Sequence, residues 1–275
     1  MKTYKNWFHV LIETYNLQKK IKIKLRSGEE DVVSYKVAFL TACSNSTTSA
    51  LNCLKLAKAY TFFFRGSFVA MHGMEKNGEI LRIFFLEDYK FLNTKGETVL
   101  DIGANIADSS IYFALKGAIK VIGLEPSTYA YNYATQNVVL SNLEEKILIL
   151  NAGYGPDSEI FIDPNRTTSL GSQIIPGTEK MIKIYSLKSL VTIYKLTSAI
   201  LKMDCEGCEY SIIKEDIQVL RRFRQIQLEY HYGYEKLVDK LKYCGFDVKY
   251  TKPRKVYNSE LKKNMAVGFI FARLQ

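Results

Sequence analysis

The sequence predicts a doubly wound α/β domain of about seven strands, one of them antiparallel, preceded by a smaller α+β unit. Three observations predict it. From residue 97 onward, short apolar runs of β-forming residues alternate with helical patterns, which is the sequence mark of a parallel sheet wound by helices. The segment VLDIGANIA (residues 99–107) reads as buried strand, glycine turn and helix start. The last two apolar runs, near 246–251 and over 266–273, have no helix between them; they can pair as a hairpin and insert one reversed strand.

Before residue 95 the alternation is absent, and residues 1–94 are expected to form a separate unit, a cap over the domain of residues 95–275. The opening 20 residues are interrupted by Glu13 and Asn16, with Trp7, Phe8, Leu11, Ile12 and Tyr15 able to share one face. They read as an amphipathic helix and not as a signal peptide. IKIKLRSGEEDVVSY (21–35) reads as a hairpin turning at Ser27-Gly28, and residues 50–59 as a short helix. TFFFRGSFVAMHG (61–73) and EILRIFFL (79–86) read as two strands, with Asn77-Gly78 as the turn between them.

In the second part the expected elements are strand 97–102, helix 105–116, strand 119–124, helix 127–141 and strand 146–151. A loop follows, then helix 186–195, strand 199–204, helix 208–221, strand 225–231 and helix 234–243, before the two final strands. No repeat or low-complexity segment interrupts them.

Composition narrows the class. At 275 residues the chain is long enough for a full core, and 47% hydrophobic with 24% charged residues is ordinary for a globular protein. No apolar run reaches bilayer length. The five cysteines are Cys43, Cys53, Cys205, Cys208 and Cys244. An odd number without a secretion signal predicts reduced thiols and a cytoplasmic protein. Cys205 and Cys208 lack the second pair that a zinc site needs, so they are expected as small packing residues and no metal is expected. The net charge is +10, and residues 1–95 hold 15 lysines and arginines against 8 acids. That excess suits either general solubility or an anionic partner.

Four features carry chemistry. Asp101 ends the first strand and Gly103 turns the chain, with Ala104, Asn105 and Ile106 leading into the helix. Glu125, followed by Pro126, ends the second strand 22 residues after Gly103; in a Rossmann-like half-fold an acid there meets ribose hydroxyls. The first turn has a single glycine, so it offers little cradle for a pyrophosphate. A ligand with adenosine and a charged amino-acid tail but no phosphate fits better, and S-adenosylmethionine is such a ligand. Its ammonium group could be attracted by Asp101. ILKMDCEGCEYSIIK (200–214) brings Asp204 and Glu206 to a third strand end, and QIQLEYHYG (225–233) brings Glu229 and His231 to the next. Convergence on one sheet edge favours a site over scattered polar loop residues.

These segments resemble the FkbM-type S-adenosylmethionine-dependent methyltransferases in VLDIGANIADSSIYFA (99–114), GLEP (123–126), the region of Asn137 and LKMDCEGCEYSIIK (201–214). The resemblance implies a class I methyltransferase fold with seven strands, the last reversed. It implies cofactor contacts from Asp101, Gly103, Ala104 and Asn105, joined by Ile106, Pro126 and the ribose-binding Glu125, with Asp204 near the methionine part or the acceptor. The family usually has glycine where this chain has Ala107.

The expected reaction is O-methylation of a sugar or other small molecule. His231 is the first candidate for a base by its intrinsic pKa, with Asp204 or Glu229 as the second. An RNA acceptor is the alternative, which would need exposed aromatics among Phe62, Phe63, Phe64 and Phe68. A non-catalytic binding protein is a third reading. Edge strands in the first unit could pair two copies into a homodimer.

Overall fold

The computed structural model describes residues 20–24, 30–34, 59–72, 81–162, 180–258 and 263–274. The chain divides into two compact units, one of Met1–Glu87 with Gln136–Asn142 and one of Asp88–Thr135 with Leu143–Gln275. The helices expected at the N-terminus and before residue 59, and the Asn77-Gly78 turn, lie outside the described residues.

In the first unit β1 (Lys20–Lys24) and β2 (Glu30–Ser34) pair antiparallel. The stretch expected as one strand over 61–73 is two, β3 (Ala59–Phe64) and β4 (Ser67–His72), paired antiparallel. Arg65 and Gly66 between them both have positive φ, 51° and 81°. This is the mirror-image two-residue turn whose twist suits a hairpin, made here without the Asn-Gly pair that usually signals it. The run expected as the next strand is instead a π-helical turn, Leu81–Phe85. It buries Ile83 and Phe84, and Phe62 packs edge-on against Phe84 with ring centroids 5.0 Å apart. Phe62 is 0% exposed, so it is a core residue and offers no face to a nucleic-acid base. Phe64 also meets Phe84 edge to face. Asn137 pins the end of β4: its side chain accepts from the His72 N–H and donates to the His72 carbonyl.

The second unit is built on β5 (Thr98–Ile102), β6 (Lys120–Leu124), β7 (Ile147–Leu150), β11 (Ala199–Met203), β12 (Phe223–Tyr230), β13 (Phe246–Tyr250) and β15 (Lys263–Leu274). Their order across the sheet is β13-β15-β12-β11-β5-β6-β7. Among the described residues of this sheet β15 alone is reversed, antiparallel to both β12 and β13. An eighth strand, β14 (Arg254–Asn258), pairs with the first half of β15. The central strands are covered on both faces, which is why they read as continuous apolar runs. Val99, Leu100, Ile200, Leu201, Ile226 and Leu228 are all 0% exposed, each worth about 1.5–3 kcal/mol of burial.

The helices are α1 (Asp108–Leu115), α2 (Thr128–Leu140), α3 (Leu187–Ile193), α4 (Ile217–Leu220) and α5 (Glu235–Tyr243). α1 begins three residues later than expected because Asn105 and Ala107 stand at φ 49° and 67°, outside the helical region. The single helix expected over 208–221 is a 3-10 turn, Cys208–Lys214, followed by α4. Extended backbone at Glu215 and Asp216 separates them, and the Glu215 carboxylate is held by the Leu187 N–H and the Tyr154 hydroxyl. The region expected as a loop after residue 151 carries β8 (Ala152–Tyr154), β9 (Ser158–Ile162) and β10 (Lys180–Tyr185). These form a second sheet ordered β8-β10-β9.

Cys205 and Cys208 are joined by a disulfide, contrary to the reduced thiols expected. Positive φ at Glu206 and Gly207 folds the chain back and brings the two Cα atoms to 5.4 Å. Cys244 is a free, buried packing residue. Among the described residues, no helix is long and apolar enough to cross a membrane.

Candidate active site

Register assembles the site. Asp101, Lys202 and Gln227 occupy one row across β5, β11 and β12. Two residues further along the chain, Gly103 and Asp204 follow directly on the ends of β5 and β11, and Glu229 is the last residue but one of β12. The carboxyl ends of these parallel strands form the edge where ligands bind in doubly wound sheets.

The loop after β5 is tightly held. The Gly103 and Ala104 N–H groups both donate to the Leu124 carbonyl, at 3.0 and 2.9 Å. Gly103 stands at φ +78°, and a Cβ there would lie 1.8 Å from the Asp204 carbonyl oxygen. Backbone meets backbone at this point, and only glycine satisfies both the angle and the space. Ala104 and Ile106 are 0% exposed. Asn105 donates its N–H to Glu125 Oε2, and Ser127 donates its own to Oε1, both at 2.8 Å. Glu125 thus ties the end of β6 to the turn after β5. Burial pushes its pKa up to about 7, against the pull of these two N–H groups and of Lys202. Pro126 follows, its carbonyl accepting from the Asn151 side chain.

Asp101 is placed differently from the expectation that it meets an ammonium group. It is fully buried. Oδ2 accepts from the Ser109 and Ser110 hydroxyls at 2.6 Å each, and Oδ1 pairs with Lys202 Nζ at 3.0 Å. The protein supplies its own cation here. Lys202 also donates to the Gly103 carbonyl at 2.7 Å and lies over the Tyr89 ring. Burial works to lower its pKa, but Asp101 and Asp204 outweigh that and hold it above the usual lysine value.

Around His231 the carboxylates gather. Its Nδ1 is 2.9 Å from Glu209 Oε1, and its Nε2 lies 3.4 Å from Glu206 Oε2 and 3.9 Å from Asp204 Oδ1. Glu209 is 0% exposed and is fixed by the backbone N–H groups of Gly207 and His231. Burial alone would lower the histidine pKa. Hydrogen bonds to Glu206 and Glu209 reverse this and push it up to about 11. The ring therefore does not stand at its intrinsic pKa: at neutral pH it holds its proton and has no lone pair to act as a base. Asp204 stays partly open and receives the Tyr89 hydroxyl at 3.5 Å. Glu229 is buried and stands opposite Phe269 of β15. It is not part of the set of Asp204, Glu206 and His231, whose ligand atoms lie within 4.8 Å of one another.

Sequence reasoning missed Lys202, Glu209 and Tyr89. Lys202 has a legible signal, a lone charge inside an apolar strand. The Tyr210 hydroxyl is another, donating to the Gly233 carbonyl and accepting from the Tyr232 N–H, which fastens the turn after β12.

Residues 101–248, just over half of the chain, match the family model described as the methyltransferase FkbM domain. No curated protein sequence matches this chain. Solved structures with a similar chain trace include a precorrin-6y C5,15-methyltransferase of Geobacter metallireducens. It is 16% identical over 75% of this chain and 93% of that one, with a TM-score of 0.42. TYW2 of M. jannaschii, in complex with AdoMet, is 14% identical over 79% and 87%, TM-score 0.45. The M. jannaschii tRNA m1G37 methyltransferase is 13% identical over 94% and 61%, TM-score 0.43.

Proposed function

Because this chain belongs to the FkbM methyltransferase family, we propose that it transfers a methyl group from S-adenosylmethionine to a hydroxyl oxygen of a small-molecule or glycan acceptor. The observation that carries the cofactor reading is Glu125. Each of its oxygens accepts one backbone N–H, whereas a carboxylate has about four acceptor positions. The acid is thus locked at the strand end with capacity left for two ribose hydroxyls. Asp204 and Glu206, partly exposed at the same edge, suit a ligand with positive charge.

Bound there, S-adenosylmethionine supplies a methyl group already activated on a sulfonium. The protein's task is alignment and proton removal. Lys202 and Asp101 neutralise each other and support the Gly103 loop from beneath, a positioning role in place of a direct contact. Asp204 has an open carboxylate and takes over from His231 as the group that accepts the hydroxyl proton, steadied by Tyr89.

Calorimetric titration with S-adenosylmethionine, with NAD in parallel, tests the reading. Saturable one-site binding of the former alone is expected, weakened at least tenfold in Glu125→Ala. Transfer of labelled methyl to sugars and small hydroxyl compounds then follows. Binding of NAD instead, or undiminished affinity in Glu125→Ala, would overturn it.

A further inference from the structure

We propose that Asp204, Glu206 and His231 bind one first-row divalent cation of the Mn2+ or Zn2+ kind, whose open positions take the acceptor hydroxyl. The role in transfer rests on the methyltransferase reading above; the cation site itself does not.

Geometry is the first support. A carboxylate oxygen from each acid and one histidine ring nitrogen lie within 4.8 Å of one another. Nε2 stands 3.4 and 3.9 Å from Glu206 Oε2 and Asp204 Oδ1. Ligand atoms on an ion with bonds of about 2.1 Å stand roughly 3–4 Å apart, so small side-chain movements close the set.

The histidine's far side is the second. Nδ1 faces the buried Glu209 carboxylate at 2.9 Å, and Glu209 is in turn held by two backbone N–H groups. This carboxylate–histidine arrangement is the one that fixes a ring with Nε2 turned toward a metal. The ring is 3% exposed and cannot swing away.

Charge is the third. Carboxylates of Asp204, Glu206 and Glu209 all lie close to the His231 imidazole. To ligate an ion the ring releases its Nε2 proton to solvent, and the divalent ion then supplies the positive charge among these carboxylates in its place. One nitrogen and two oxygens suit Mn2+ or Zn2+ better than the all-oxygen preference of Ca2+ or Mg2+. The acids are about a quarter exposed while the histidine side chain is 4% exposed, so an ion held between them keeps solvent-facing positions free, as catalytic metal sites do.

An acceptor hydroxyl bound to the ion ionises at a lower pH, its proton passing to Asp204 or water. The alkoxide oxygen forms the new C–O bond, and the methyl–sulfur bond breaks with its electron pair going to sulfur.

Chelator-treated protein titrated with Mn2+, by calorimetry and by electron paramagnetic resonance, tests the site. One ion per chain is expected, with affinity lowered at least tenfold in Glu206→Gln and in Asp204→Asn. The far-ultraviolet circular dichroism of both variants should match that of the unaltered chain, which shows that they fold. No saturable binding of Mn2+ or Zn2+, or affinity unchanged in both variants, overturns the proposal. Metal binding without S-adenosylmethionine binding sinks the transfer reading and leaves the site; the reverse result sinks the site alone. Methyl transfer at full rate in chelator overturns the role in acceptor binding.

Discussion

Ala107 holds a backbone angle that alanine dislikes. At φ 67° and ψ 21° it is left-handed, a conformation that costs an L-residue roughly 1–2 kcal/mol. The family resemblance carries glycine here, and the angle explains why. Ala107→Gly should therefore stabilise the protein by about 1 kcal/mol, read as a raised urea midpoint at unchanged slope; no gain would mean that the loop relaxes in solution. Glu125 makes a different prediction. Its pKa rises from 4.5 to about 7 on burial, so the folded state favours the protonated acid. The stability this confers is complete below about pH 4.5 and is lost as pH rises through 7, on the order of 3 kcal/mol in all. Compared with Glu125→Gln, the unaltered protein should weaken across that window. Parallel stability curves for the two would show that the carboxylate is not titrating there.

Elements were legible where burial imposes a period. The parallel strands and their helices follow from apolar runs and turns, and the reversed strand from the lack of a helix ahead of it. Elements whose cause lies elsewhere in the chain were not legible. β8, β9 and β10 are short and, among the described residues, pair only with one another. The β3–β4 hairpin turns on Arg65-Gly66, which carries no strong turn signal. The break before α4 comes from Glu215 binding groups at Tyr154 and Leu187, far away in sequence. The joint of β12 with β15 offers a test at this scale. A Cβ on Gly268 would lie 2.3 Å from the Tyr230 hydroxyl oxygen, which donates to the Thr251 carbonyl. Gly268→Ala should cost about 1–3 kcal/mol by overpacking, seen as a lower melting temperature. An unchanged melt would show that Tyr230 can move aside at no cost.

At the scale of the whole molecule, the strand ends named from sequence do converge on one sheet edge in the second unit. What could not be read was which groups are already spent. Asp101 looked like a ligand because Lys202 is 101 residues away in sequence. His231 looked like a base because Glu206 and Glu209, which raise its pKa, lie on another segment. Spacing shows which residues can meet; only the fold shows who meets first. The net charge of +10 suits general solubility and an anionic partner alike, and Phe62 in the core lends no stacking face to an RNA reading.

The Cys205–Cys208 bond closes a short ring, and Glu206 sits inside it. A ring so small removes little freedom from the unfolded chain, while it governs the backbone that aims one acid of the site. Material made in reducing and in oxidising surroundings would then share one sheet and nearly one melting curve, yet differ in how they grip a ligand. The redox history of a preparation is a variable of its chemistry, written in a segment that a stability assay would barely notice.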